Sequence, residues 1–126
     1  MTSASFPLPE WAVESQLPES KWTFRPIRNE AELTAAARVL ANCSAAYADT
    51  CRSGQTVLAM VVRPVTEKGR KLPRMGGLEI GAMAELSRWR DRWRLVQTKG
   101  FTNNEPVQSA AAAIARLVDQ VNGGAQ

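Results

Sequence analysis

The stretch Thr56-Val57-Leu58-Ala59-Met60-Val61-Val62 is the part of the sequence that most directly indicates a β-sheet. It is apolar and rich in β-branched residues, a composition typical of strands, and Pro64 closes it because proline has no amide hydrogen to donate. Two more strands are predicted downstream, over Gly77 to Met83 and Arg92 to Thr98, after a polar loop at 63–74. Together the three segments predict an antiparallel meander.

Two helices are predicted before these strands. Asn29 is a favoured capping residue with Glu32 three positions later, and apolar residues then recur at helical spacing to about residue 41. A shorter helix is predicted from the run Cys43-x3-Tyr47-x3-Cys51-x2-Gly54, because residues four apart share a helix face and glycine commonly ends a helix.

A third helix is predicted after the strands, beginning at Pro106 and ending before Gly123. The predicted fold class is therefore α+β, with a three-stranded antiparallel meander covered by about three helices in the order α-α-β-β-β-α. Residues 1–20, which contain three prolines, are predicted to be an irregular N-terminal arm. Residues 21–122 are predicted to form a single domain and 123–126 a flexible tail.

Composition excludes several classes of chemistry. The 126 residues include no histidine and two cysteines, so histidine-based acid–base catalysis is ruled out, and two thiolates cannot complete a four-ligand zinc site. We therefore expect no metal and no cofactor. The longest apolar runs, 57–62 and 110–115, are far shorter than the roughly 20 residues that span a bilayer. With no signal peptide visible, we expect a cytoplasmic protein without a membrane segment.

Four short motifs occur in an order that is similar to a known family. They are the entry Trp22-Thr23-Phe24-Arg25-Pro26, the run from Asn42 and Cys43 through Tyr47 and Cys51 to Gly54, the step Leu78-Glu79-Ile80, and the segment Gln97-Thr98-Lys99-Gly100 with Asn103. Over residues 22–121 the chain resembles the PcfJ-like family of conjugative plasmids, phages and other bacterial mobile elements.

The resemblance has one departure and implies mainly structural roles. Asn42 stands where that family usually has histidine, so any chemistry of that histidine is lost here. The motif residues are interpreted as structural; they are Asn42, Cys43, Tyr47, Cys51, Gly54, Leu78, Glu79 and Gly100.

Positive charge is concentrated in the strand region. Residues 63–99 hold ten basic and four acidic residues, a net of +6 in a chain whose total is +4. From Arg88 to Arg94, arginines alternate with other residues, so an extended hairpin is predicted to place four guanidiniums on one face and two indoles on the other. The predicted binding residues are Arg88, Trp89, Arg90, Arg92, Arg94, Gln97, Lys99 and Asn103.

A polar pocket is a further hypothesis. Gln97 is predicted to share a strand face with Trp93 and Leu95, and it is grouped with Asn103 and Glu79. Exposure to solvent is nevertheless the default expectation for Glu79, because it points away from Leu78 and Ile80.

Three functions remain open at this point. The first is a non-enzymatic binding module of a mobile element, which contacts nucleic acid or an acidic protein surface through the Arg/Trp hairpin. The second is a phage- or plasmid-encoded inhibitor or regulator of a host protein, of the counter-defence type. The third is an enzyme that uses Cys43 or Glu79.

Overall fold

A computed structural model describes residues 5–40, 47–65, 72–100 and 106–123. These residues form a curled, six-stranded antiparallel sheet and three helices. The strands are β1 (Ser15–Gln16), β2 (Thr23–Pro26), β3 (Thr56–Pro64), β4 (Arg74–Met75), β5 (Leu78–Trp89) and β6 (Arg92–Lys99). The helices are α1 (Glu30–Leu40), α2 (Ala48–Arg52) and α3 (Gln108–Val121).

The class is α+β, but the predicted three-stranded meander is wrong. In the described residues the sheet has six strands in the order β1-β2-β3-β5, and β4 and β6 both pair with β5. β4 pairs near the start of β5, at Leu78 and Glu79, and β6 pairs with its second half, from Met83 to Trp89.

The missed strands are too short to show an alternating pattern. β1 and β4 have two residues each, and β2 has four, with Pro26 at its end. Pro26 is tolerated because β1 pairs only with Thr23 and Phe24, so no ladder hydrogen bond is required of Pro26 on that side. Pairing with β3 creates β2, and this long-range contact has no local sequence signal.

Strand β3 is buried on both faces, which explains its continuous apolar sequence. Val57, Ala59 and Val61 belong to a core cluster with α3, which includes Ala110, Ala113, Ile114 and Val118. Leu58, Met60 and Val62 belong to a second cluster with α1, which includes Leu33, Ala36 and Leu40. The sheet therefore lies between α3 on one face, here called the α3 face, and α1 with α2 on the other, the α1 face.

Part of the segment predicted as an irregular arm belongs to this core. Phe6, Ala12 and Leu17 are buried, and β1 pairs with β2. Trp11 packs edge-on against Trp93, with 5.2 Å between ring centroids. Parts of residues 5–20 therefore pack against the sheet and belong to the folded domain. None of the helices in the described part of the chain has the length and hydrophobicity needed to cross a membrane.

A β-bulge at Gly81 adjusts β5 to its neighbours. Val61 pairs with Ala82 and Val62 with Ile80, so the register skips Gly81. A Cβ atom at this position would lie 2.5 Å from Cη2 and 2.7 Å from Cζ3 of Trp22. Glycine is therefore required here for space, since the buried indole of Trp22 occupies the position of a side chain.

We expect Gly81→Ala to lower the free energy of unfolding by about 1–3 kcal/mol, because the added methyl overpacks the core beneath Trp22. Urea denaturation at neutral pH measures the loss. In a Trp22→Phe background the same substitution should cost less, because phenylalanine lacks the outer ring atoms that clash. An equal cost in both backgrounds would contradict this explanation.

Candidate binding hairpin

A tight two-residue turn joins β5 to β6. Trp89 pairs with Arg92 across the turn, and Arg88 pairs with Trp93. Arg90, the first turn residue, has φ +57°, a left-handed conformation that suits tight hairpin turns. We refer to residues 88–94 as the hairpin tip.

The turn distributes the arginines over both faces of the hairpin. Cross-strand partners project from the same face, so Arg88 lies with Trp93 on the α3 face, and Arg92 lies with Trp89 on the α1 face. The predicted separation of four guanidiniums from two indoles is wrong, because Arg90 and Asp91 form the turn and do not continue a strand.

The two tryptophans of the tip have different roles. Trp93 is 8% exposed and packs in the core cluster of the α3 face. Trp89 is 50% exposed, and its ring lies 4.6 Å from the guanidinium carbon of Arg90 and 5.9 Å from that of Arg94. Trp93 therefore stabilises the hairpin, whereas Trp89 presents an aromatic surface between two cations.

The positive charge of the tip is not neutralised within the described residues. Arg88, Arg90, Arg92 and Arg94 are all exposed, and none of them forms an ion pair with a described carboxylate. Asp91 in the turn is the single acidic residue of the tip. Four guanidiniums are thus available to an anionic partner.

Two polar side chains hold the tip in place. Asn122, just after α3, accepts a hydrogen bond from the Trp93 amide at 3.0 Å and donates one to the Trp93 carbonyl at 2.8 Å. Gln55 donates through Nε2 to the Ser87 hydroxyl at 3.2 Å and to the Arg88 carbonyl. The sequence analysis did not identify either residue. For Asn122 the reason is that an asparagine before two glycines indicates only the end of a helix.

Gln97 lies on the opposite face from the one predicted. Glu85 pairs with Gln97 and Leu86 with Leu95, so a bulge at Val96 turns Gln97 towards the α1 face. There its amide nitrogen donates to Glu85 Oε1 at 2.6 Å and to the Tyr47 hydroxyl at 3.0 Å. Gln97 links β6 to the segment before α2, which is a structural role.

The predicted pocket of Gln97, Asn103 and Glu79 does not bring its two described members together. Glu79 lies on the α3 face, 2% exposed, with its Oε2 3.3 Å from Nη2 of Arg63. The expectation that Glu79 is exposed is therefore wrong, because cross-strand pairing supplies Arg63 as a partner.

Asn103 lies outside the described residues. Lys99, opposite Met83, is seven residues along β6 from Arg92 and is not part of the tip.

The described motif residues around α2, β5 and β6 are all buried or half-buried. Tyr47 immediately precedes α2 and is half-buried, and Cys51 is buried within it. Gly54 has φ +82°, the left-handed conformation that commonly follows a helix. Leu78 is half-buried at the start of β5, and Gly100 is buried just after β6. Asn42 and Cys43 lie outside the described residues.

Cys51 is poorly suited to nucleophilic chemistry. Burial raises the pKa of its thiol from 9.0 to about 11, and the Glu85 carboxylate shifts the pKa in the same direction. The protonated form, which is a weak nucleophile, dominates at neutral pH. Among the described residues, no group of three or more histidine, cysteine or acidic side chains is arranged to hold a metal ion.

Comparisons with family models, curated proteins and solved structures found no match to this chain.

Because of Cys51, the free energy of unfolding should depend on pH in the alkaline range. The unfolded thiol ionises near 9.0 and the folded thiol near 11, so the unfolded state binds fewer protons between these values and stability falls as pH rises. The effect is at most about 2–3 kcal/mol, because one pKa unit corresponds to about 1.4 kcal/mol. Urea titrations between about pH 8.5 and 11 measure the free energy of unfolding of the wild type and of Cys51→Ala. We expect this free energy to fall less steeply with pH in Cys51→Ala than in the wild type. Parallel curves would contradict the buried, protonated thiol.

Proposed function

We propose that this chain is a nucleic-acid-binding module of a bacterial mobile genetic element, and that the hairpin tip contacts a single strand. The observation that carries the proposal is Trp89, a half-exposed indole flanked by the guanidiniums of Arg90 and Arg94. Bases stack on exposed aromatic rings, and arginines bind the phosphates on either side.

Single-stranded nucleic acid fits this arrangement better than a duplex. A base must be unstacked from its neighbours before its face reaches an indole, and bases in a duplex are already stacked and paired. The tip also offers no row of amide side chains to read base edges, since its polar groups are four arginines and one aspartate. Binding with little sequence preference follows from stacking and charge alone.

Two further observations support a binding role in a mobile element. The order and spacing of four short motifs within residues 22–121, which resemble those of the PcfJ-like family, support the genetic context. Of the two residues considered for chemistry, Glu79 is buried and paired with Arg63, and Cys43 lies outside the described residues. Cys51, the second cysteine, is buried with a raised pKa. A binding role requires none of these groups to react.

A second candidate is an inhibitor or regulator that binds an acidic protein of the host. The same exposed Trp89 favours it, because tryptophan and arginine are enriched among the residues that dominate the energy of protein interfaces. The two candidates differ in whether the tip binds an isolated oligonucleotide.

We expect Trp89→Ala to weaken binding of a fluorescein-labelled oligothymidylate by about 1–3 kcal/mol, which is the range for loss of one base–aromatic stack. Trp89→Phe should retain most of the affinity, because it keeps an aromatic ring. Fluorescence anisotropy measures both. Val13→Ala is the matched control, since Val13 is 56% exposed and lies outside the tip.

The charge of the tip is tested separately by salt. Replacing Arg92 or Arg94 with glutamine should reduce the slope of log affinity against log salt by about 0.7 for each phosphate that the variant no longer neutralises. Arg38 is an exposed arginine on α1, and Arg38→Gln should leave the slope unchanged.

Two results would overturn the proposal: an affinity that does not change with salt, or a Trp89→Ala variant that binds the oligonucleotide as tightly as the wild type. A host protein retained through the tip, with no oligonucleotide binding, would favour the second candidate.

A further inference from the structure

A second group of basic side chains surrounds a groove at the other end of the sheet. The groove has a volume of about 340 Å³ on the α3 face. Its lining includes Glu19, Lys21, Trp22, Arg63, Ser109 and Arg116. Arg63 lies seven residues along β3 from Thr56, which pairs beside the hairpin tip. At about 3.3 Å per residue the groove is roughly 23 Å from that end of β3, so the two sites are separate.

The two guanidiniums of the groove are held in fixed positions. Arg63 lies 4.4 Å from the centroid of the Trp22 ring and is paired with the buried Glu79. Arg116 donates through Nε to the Pro18 carbonyl at 3.1 Å and through Nη2 to the Glu19 carbonyl at 3.4 Å. Each guanidinium has five N–H donors, and these contacts use only some of them. Ligand binding would therefore require little ordering of either side chain.

The remaining polar groups of the wall are mainly donors. Ser109 Oγ accepts a hydrogen bond from Trp22 Nε1 at 2.9 Å, and its hydroxyl proton has no acceptor among the described residues. Lys21 is exposed, and none of the described residues pairs with its ammonium group. The carboxylate of Glu19 is 85% exposed and 3.9 Å from Arg116, so it neutralises the groove only weakly.

We propose that this groove binds a phosphate group. Two guanidiniums, one ammonium and one hydroxyl donor line the same groove, and a tetrahedral oxyanion can accept hydrogen bonds from such groups. Glu79 offsets the charge of Arg63, so the net positive charge of the groove comes from Arg116 and Lys21. The phosphate belongs either to a small phosphorylated molecule or to the backbone of a nucleic acid strand. Neither source requires the stacking surface of Trp89, so the site is independent of the function proposed for the hairpin tip.

The four indole N–H resonances of the protein provide a direct test. Trp22 reports on the groove, because its Nε1 is bonded to Ser109 and its ring lies beneath Arg63. Trp89 reports on the hairpin tip. We expect inorganic phosphate, added at constant ionic strength in ¹H–¹⁵N spectra, to shift the Trp22 resonance along a saturable curve. A shift of Trp89, which lies between Arg90 and Arg94, reports separately on the hairpin tip.

Lys21 offers a variant that should not disturb folding, since its side chain is exposed and without a described partner. Lys21→Gln should weaken phosphate binding about fivefold, and Lys21→Glu should abolish it. Arg38→Gln removes the same charge from α1, which packs against the α1 face, and should have no effect. The proposal would be overturned if sodium chloride alone reproduced the shift of the Trp22 resonance. It would also be overturned if the wild type and Lys21→Glu bound phosphate with equal affinity.

Two further titrations identify the source of the phosphate. If adenosine monophosphate shifts the Trp22 resonance along a saturable curve and an oligothymidylate without terminal phosphates does not, the phosphate belongs to a small phosphorylated ligand. An oligothymidylate without terminal phosphates that shifts Trp22 together with Trp89 supports a backbone phosphate of a strand that reaches both sites. An absence of any Trp22 shift with inorganic phosphate, adenosine monophosphate and oligonucleotide alike would overturn the site, whatever Trp89 shows.

Discussion

The pairing of β3 with β5 is the interaction on which the rest of this structure depends. β3 is covered on both faces, so its side chains anchor α3 on one side and α1 on the other. It also provides the edge on which β2, and through it β1, can form. β5 extends along the whole of β3 and carries β4 near its start and β6 on its second half. Loss of this pair would leave both helical layers without a common surface.

Two β-bulges adapt this long pairing to the layers that cover it. At Gly81 the bulge and the missing side chain make room for the indole of Trp22, which in turn supports Arg63 at the groove. At Val96 the bulge turns Gln97 to the α1 face, where it bonds Glu85 and Tyr47. Each bulge therefore determines which face of the sheet a polar or aromatic group reaches.

The hairpin tip combines a rigid base with an accessible surface. Trp93 is packed against Trp11 and bonded through its backbone to Asn122, so β6 is fixed immediately beside the turn. Trp89, Arg90 and Arg92 lie on the turn side of that anchor, Arg88 and Arg94 lie beside it, and none of the four arginines has an ion pair with a described carboxylate. A surface that is already ordered loses less conformational entropy when it binds a partner. This rigidity is one reason why the tip is a better candidate for recognition than the buried motif residues.

The sequence by itself determined the α+β class, strand β3 and the concentration of positive charge in the strand region. It also determined the cap of α1, where the Asn29 side chain accepts a hydrogen bond from the Glu32 amide at 2.9 Å. These features depend on composition, short-range periodicity and capping, all of which act over a few neighbouring residues. Tertiary structure decided the number of strands, the burial of Glu79 and the faces on which Gln97 and the arginines lie. Short strands exist only where a partner supplies hydrogen bonds, and a single bulge or a two-residue turn reverses the face of every later side chain. Those contacts join residues far apart in the chain, so no local pattern records them.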